Sequence, residues 1–212
     1  MKIYGFPLSP FVRKTLVSAR EKGLEVELVP TNPQQPDEAF LACSPFRKIP
    51  AMDDNGFRLA DSTAIIAYLD AKYPRPVLIP AEPEARGRAI WFEEVADTVL
   101  IPAAVGIVVN RFLRPRIFGT EGDEAAAQAS EEAIKPLLAY LENAVDGDWL
   151  HGEYSIGDIA VASCIRTLGY TGWAIDPAAA PRLAAWFDRV TERPAWQATA
   201  ALEERIFSAA GL

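Results

Sequence analysis

Tyr4-Gly5-Phe6-Pro7-Leu8-Ser9-Pro10-Phe11-Val12-Arg13-Lys14 is the stretch on which the fold of this 212-residue chain turns. Lys2 to Phe6 is short, apolar and aromatic enough for a strand. Phe11, Val12, Leu16 and Ala19 then recur at helical spacing until Gly23, a residue suited to the left-handed position after a helix. Ser9 is a helix-capping type and Pro10 suits the first helical position. Val26 to Val29 reads as a second strand, so the order strand, helix, strand fits a parallel pair joined by a crossover helix. The N–H groups that open the helix point at whatever lies in front of Ser9, and a helix N-terminus beside a hydroxyl favours an anion.

Further along, Pro30, Pro33 and Pro36 keep the chain open, and Asp37 to Leu41 allows a short helix before Ser44-Pro45. Ala51-Met52, Asp54-Asn55-Gly56 and Phe57-Arg58-Leu59 read as a hairpin, because Asn-Gly supplies the positive φ angles of a tight turn. Asp61-Ser62 starts a third helix, with Ile65, Ile66 and Leu69 on one side and Tyr73-Pro74 as its stop. Pro74, Pro76, Pro80 and Pro83 mark a linker. Everything beyond it reads as helix: Glu84 to Leu113 with a kink at Pro102, Asp123 to Val145 with a bend at Pro136, Ile159 to Leu168 behind a Ser155-x-x-Asp158 capping box, Pro181 to Thr191, and Ala195 to Ala209. The expected architecture is an α/β unit followed by an all-α unit.

A formal charge of −8 disfavours nucleic acid or an anionic membrane as the main partner, and any anionic ligand must be held by local positive features. No apolar run approaches the roughly 20 residues of a membrane span. Met1-Lys2-Ile3 leads straight into a strand, so no signal peptide and a cytoplasmic location are expected. Cys43 and Cys164 are too few for a disulfide framework or a Cys-rich metal site, and His151 is the only histidine, so no metal is expected.

Three short motifs carry chemistry, and each has a plain alternative. Ser9 either caps its helix or donates a hydrogen bond to a bound thiolate. Lowering a thiol pKa by ~2 units needs roughly 2.7 kcal/mol, within reach of a charge-assisted hydrogen bond of ~1.5–3 kcal/mol plus a helix-terminus contribution of ~0.3–2 kcal/mol. A redox Cys-x-x-Cys pair at this turn would require cysteines where Ser9 and Val12 stand, which excludes dithiol chemistry there. In Arg47-Lys48-Ile49-Pro50, the proline is either a trans residue at a strand start or a cis residue exposing the Ile49 backbone for strand-like pairing with an extended ligand. Asp61-Ser62 is either ordinary capping or a pair in which Ser62 and the helix N-terminus take a carboxylate while Asp61 accepts from an ammonium. Lys48 would suit a second carboxylate on the same ligand.

Together these describe a zwitterionic, peptide-like ligand with a thiol in its middle, which is glutathione. On these motifs residues 1–75 resemble the thioredoxin-like, glutathione-binding domain of soluble glutathione S-transferases, residues 84–212 resemble their all-helical domain, and 76–83 form the linker. Ser9 to Lys14 is similar to the serine-type active-site turn of tau-like and related bacterial members. The resemblance implies a cytoplasmic, homodimeric transferase acting in detoxification, with glutathione as co-substrate and a small hydrophobic electrophile as partner. It implies Ser9 as thiolate stabiliser, Lys48 at the glycyl carboxylate, Ile49 and Pro50 at the cysteinyl backbone, and Asp61 and Ser62 at the γ-glutamyl end. Phe11, Val105, Val109 and Phe112 are the expected electrophile pocket, with Tyr170 and Trp173 as further contributors. Two departures stand out: Asp61 is one methylene shorter than the usual Glu or Gln, and Cys43-Ser44-Pro45 replaces a frequent Asn-Pro. A non-catalytic carrier or interaction module would keep every structural motif, and a glutathione-dependent isomerase, dehalogenase or peroxidase would differ only in the second pocket.

Overall fold

The computed structural model describes residues 1–211; Leu212, the last residue of the all-helical unit as read above, lies outside the described residues. β1 (Lys2–Gly5) leads into α1 (Pro10–Glu21), and β2 (Glu27–Pro30) returns parallel to β1. Lys22 caps α1, and Gly23 takes the left-handed φ of 71° that reverses the chain. After the short α2 (Glu38–Cys43) come β3 (Ala51–Asp54), β4 (Phe57–Ala60) and α3 (Ser62–Lys72). The sheet order is β2-β1-β3-β4, with β3 antiparallel to both neighbours. Asn55 and Gly56 make the expected two-residue turn with φ of 53° and 94°.

α1 and α3 cover one face of the sheet, where Ile3, Val12, Leu16, Met52, Ile65 and Leu69 are fully buried. Tyr4, Phe40, Cys43 and Ala51 form a smaller cluster with α2 on the other. Gly5 allows the helix to lie close to β1, because a Cβ there would stand 2.5 Å from a Val12 methyl. This fixes the height of the turn between β1 and α1.

No helix or strand occurs between Lys72 and Pro83. The helical unit then comprises α4 (Pro83–Val95), α5 (Ile101–Val108), α6 (Glu124–Ala144), α7 (Ile156–Gly169), α8 (Pro181–Thr191) and α9 (Pro194–Ala210). The single kinked helix expected over Glu84 to Leu113 is instead a succession: α4, a π-helical stretch Ala96–Leu100, α5, and a second π-helical stretch Val109–Phe118. Pro102 has no N–H for the Thr98 carbonyl and its ring crowds that group; Pro115 stands in the same relation to Arg111. A widened turn relieves the crowding without ending the helix. α6, in contrast, runs through Pro136 with no change of helix type.

The capping box forms as read. Asp158 is fully buried and accepts from the N–H of Leu150 (2.9 Å), the N–H of Ser155 (3.0 Å) and Trp186 Nε1 (2.8 Å). Burial pushes its carboxyl pKa up, and the hydrogen bonds oppose that shift. One side chain thus ties the loop before α7 to α8. The two units meet along α1 and α7: Val17 belongs to the core that also holds Ile107, Leu168 and Trp186, and Leu8 packs with Phe112 and Phe207.

Candidate active site

Two adjoining cavities open beside the β1–α1 turn, and Phe11 and Ile49 line both. The larger, about 780 Å³, lies on the first unit and is lined by Ser44, Lys48, Asp61 and Ser62 among others. The second, about 350 Å³, lies between the units and includes Ser9, Val105, Val108 and Leu168 in its wall.

Ser9 has extended backbone angles, its N–H donates to the Phe6 carbonyl (3.0 Å) and its carbonyl accepts from Arg13 (3.0 Å). Ser9 occupies the N-cap position, but its hydroxyl makes no capping bond to the helix. Pro10 begins α1 as expected. Ser9 therefore presents an uncommitted hydroxyl at a helix N-terminus.

The Ile49-Pro50 peptide bond is cis, and Ile49 makes no backbone–backbone hydrogen bond with the rest of the fold among the described residues. The Pro50 carbonyl accepts from the Asp61 N–H (3.3 Å), tying the proline loop to the start of α3. Ser44 braces the same loop. Its hydroxyl donates to the Lys48 carbonyl and accepts from the Lys48 N–H, each at 2.8 Å. The sequence marked Ser44 only as a departure of unknown consequence; a short hydroxyl side chain four residues before Lys48 was the available signal. Neighbouring Cys43 is buried, and burial raises its thiol pKa, which suits a packing residue rather than a nucleophile.

Asp61 caps α3, accepting from the Ala64 N–H at 3.0 Å. It does so at φ 84°, a conformation that costs a non-glycine residue roughly 1–3 kcal/mol and that concentrates at binding sites. Ser62, the first residue of α3, is almost fully buried while Asp61 is exposed. Lys48 and Arg58 supply positive charge to the cavity, Arg58 sharing its own with Asp53 at 3.1 Å. The first cavity thus joins an acid, a hydroxyl at a helix N-terminus, an unpaired strand-like backbone and a lysine.

The second cavity is apolar. Ile101, Ala104, Val105 and Val108 follow one α-helical stripe, and the next lining residue, Leu113, comes five positions later, the spacing of a π-turn. Phe11 and Val105 line it as expected. Val109 and Phe112 are not in its lining: both lie in the π-helical stretch Val109–Phe118, where the α-helical spacing behind the expectation no longer holds. Phe112 is buried instead against Leu8 and Phe207, its ring 5.8 Å from that of Tyr170. Trp173 lines a separate cavity with Phe187. α7 contributes Cys164, Thr167 and Leu168 to the wall of the apolar cavity, none of which periodicity could single out from core. No group of three or more His, Cys, Asp or Glu side chains that could share a metal ion occurs among the described residues.

Residues 3–77 match the model for the N-terminal domain of glutathione S-transferases, and residues 96–194 match the model for their C-terminal domain. The chain belongs to the glutathione S-transferase family. It is 33% identical to glutathione S-transferase 3 of Zea mays over 95% of this chain and 93% of that enzyme. Among solved structures, a glutathione S-transferase from Rhodospirillum rubrum F11 superposes with a TM-score of 0.86 at 25% identity, covering 93% of this chain and 90% of the other. A glutathione S-transferase-I bound with lactoylglutathione superposes at 0.84 and 25% identity, covering 95% and 98%. The α/β unit is thus the thioredoxin-like domain of a glutathione transferase, and the helices are its C-terminal domain.

Proposed function

We propose that this glutathione transferase is of the serine type, with Ser9 holding the glutathione sulfur as a thiolate for attack on a hydrophobic electrophile. The carrying observation is the arrangement of the two cavities, one polar and one apolar, which share Phe11 and Ile49 with the free Ser9 hydroxyl beside them. Glutathione fits the first: Ser62 and the α3 N-terminus take the γ-glutamyl carboxylate, Asp61 its ammonium, Ile49 pairs with the cysteinyl backbone next to Pro50, and Lys48 meets the glycyl carboxylate. The thiol proton passes to solvent, and the Ser9 O–H donates to the sulfur anion. The sulfur then forms its bond to an electrophilic carbon in the second cavity as the leaving group departs with its electron pair. A bound neighbour ligand, lactoylglutathione, supports the glutathione assignment by similarity.

The domain limits we assign are 1–75 and 84–212, with 76–83 as linker. The exposed Trp91 and Tyr140, joined by a hydrogen bond of 2.9 Å, with Ile90 and Val99 on the same helical run, support a homodimer. No described helix is long and apolar enough to cross a membrane, which is consistent with a cytoplasmic enzyme. Calorimetry with glutathione, followed by turnover of an aryl halide, tests the reading. Saturable binding with conjugation is expected; no heat at millimolar glutathione would contradict it.

A further inference from the structure

Behind the turn that carries Ser9 lies a buried polar cluster drawn from α1, α7 and α9. Arg13 is fully buried. Its Nη2 donates to the Pro7 carbonyl (3.0 Å), and its Nη1 to the Ser163 carbonyl (2.8 Å) and to Thr167 Oγ1 (2.6 Å). Its Nε donates to Glu203 Oε1 on α9 (2.5 Å), whose other oxygen accepts from the Tyr170 hydroxyl (2.6 Å) and lies 3.7 Å from Arg166 Nε. Thr167 Oγ1 lies 3.2 Å from the Leu8 carbonyl and 3.1 Å from that of Ser163, the two acceptors open to its single proton. The carbonyls of Pro7 and Leu8 immediately precede Ser9: the first is held by Arg13 of α1, whose guanidinium α7 and α9 fix in turn, and the second lies within reach of Thr167 on α7.

We propose that Thr167 and Glu203 are positioning residues for the Ser9 hydroxyl, acting with Arg13 on the Pro7 and Leu8 carbonyls and so making α9 part of the thiolate-stabilising apparatus. This rests on the serine-type reading above. A hydroxyl stabilises a thiolate only within a narrow range of distance and angle, and a displacement of ~1 Å is enough to cost rate. The turn is closed by the Ser9 N–H to Phe6 carbonyl bond, and these anchors hold the closed turn against the second domain. Glu203 supplies the carboxylate to this guanidinium, and removing it would leave the buried Arg13 charge without its counter-ion on α9. Thr167 also lines the apolar cavity, so one residue touches both the anchor of the nucleophile's partner and the pocket of the electrophile.

The test is ultraviolet titration of the bound glutathione thiolate in the full-length protein, with glutathione Kd from calorimetry and Tm as a check on folding. Thr167→Val is expected to raise the bound thiol pKa by ~0.5–1 unit with Kd within about twofold, and Thr167→Ser to restore it. Tyr170→Phe, which releases only one oxygen of Glu203, is expected to shift it in the same direction by less, and decides the matter if Thr167→Val does not fold. A wild-type pKa in the folded variants, or failure of Thr167→Ser to restore it, would overturn the relay. Ser9→Ala separates the two claims. If it shifts the pKa while the relay variants do not, the relay alone fails; if it shifts nothing, the serine reading fails and takes the relay with it.

Discussion

The two cavities beside Ser9 are built in opposite ways. The polar one is made from short motifs of a single domain, each shaped by local backbone chemistry: the cis bond at Pro50, the positive φ at Asp61, the Ser44 brace on Lys48. The apolar one is assembled from four separate segments, and its wall depends on the phase of a helical run that contains two π-helical stretches. Recognition of a constant ligand can rest on a few fixed backbone groups. A wall of aliphatic stripes can be altered by single substitutions without disturbing that recognition, so under the proposed function the second cavity is where substrate preference can vary.

Perturbing the helical domain should separate these cavities most strongly. Asp158→Ala leaves the Trp186 indole and two backbone N–H groups without their acceptor, so a stability loss of about 3–5 kcal/mol is expected in urea denaturation. Next, Val108→Trp should fill part of the apolar cavity and raise the KM for a hydrophobic electrophile roughly 10-fold or more, leaving glutathione Kd unchanged. Val109→Trp should not, and equal effects of the two would refute the π-turn phase. In the polar cavity, Asp61→Asn keeps an oxygen for the Ala64 N–H but removes the charge; isothermal calorimetry should show glutathione Kd raised ~5–10-fold with Tm within a few degrees.

The smallest effect concerns pH. Asp97, at the first π-turn, is pushed up to about 6 by burial, the nearby Lys14 offsetting only part of the shift. The folded state then holds this proton more tightly than the unfolded chain. Stability from this group is therefore complete below the usual carboxylate value and lost as pH rises toward 6. Denaturation midpoints between about pH 4 and 6 should fall less steeply with rising pH in Asp97→Asn than in wild type.

The same contrast explains what could be read from the sequence. Ser9-Pro10, Ile49-Pro50, Asp54-Asn55-Gly56 and Asp61-Ser62 are local signals, because cap, turn and proline preferences depend on neighbours a few residues away. They placed the first domain, its hairpin and the members of the polar cavity. Val109 and Phe112 fall outside the apolar cavity's lining because an α-helical period was carried into the π-helical stretch Val109–Phe118, and a π-turn adds a residue that no apolar pattern reveals. Thr167 and Glu203 were invisible for a different reason: their partner Arg13 lies 154 and 190 residues away. Nothing among the neighbours of Arg13 in the chain marks it as a core charge, and it is α7 and α9 that supply its buried partners.

The account turns on the Ser9 hydroxyl. Titrating the absorbance of bound glutathione in wild type and Ser9→Ala measures its effect on the sulfur directly. The account predicts a bound thiol pKa lower than the free value by ~1–2 units in wild type and most of that difference lost in Ser9→Ala. The same pKa in both proteins would contradict it.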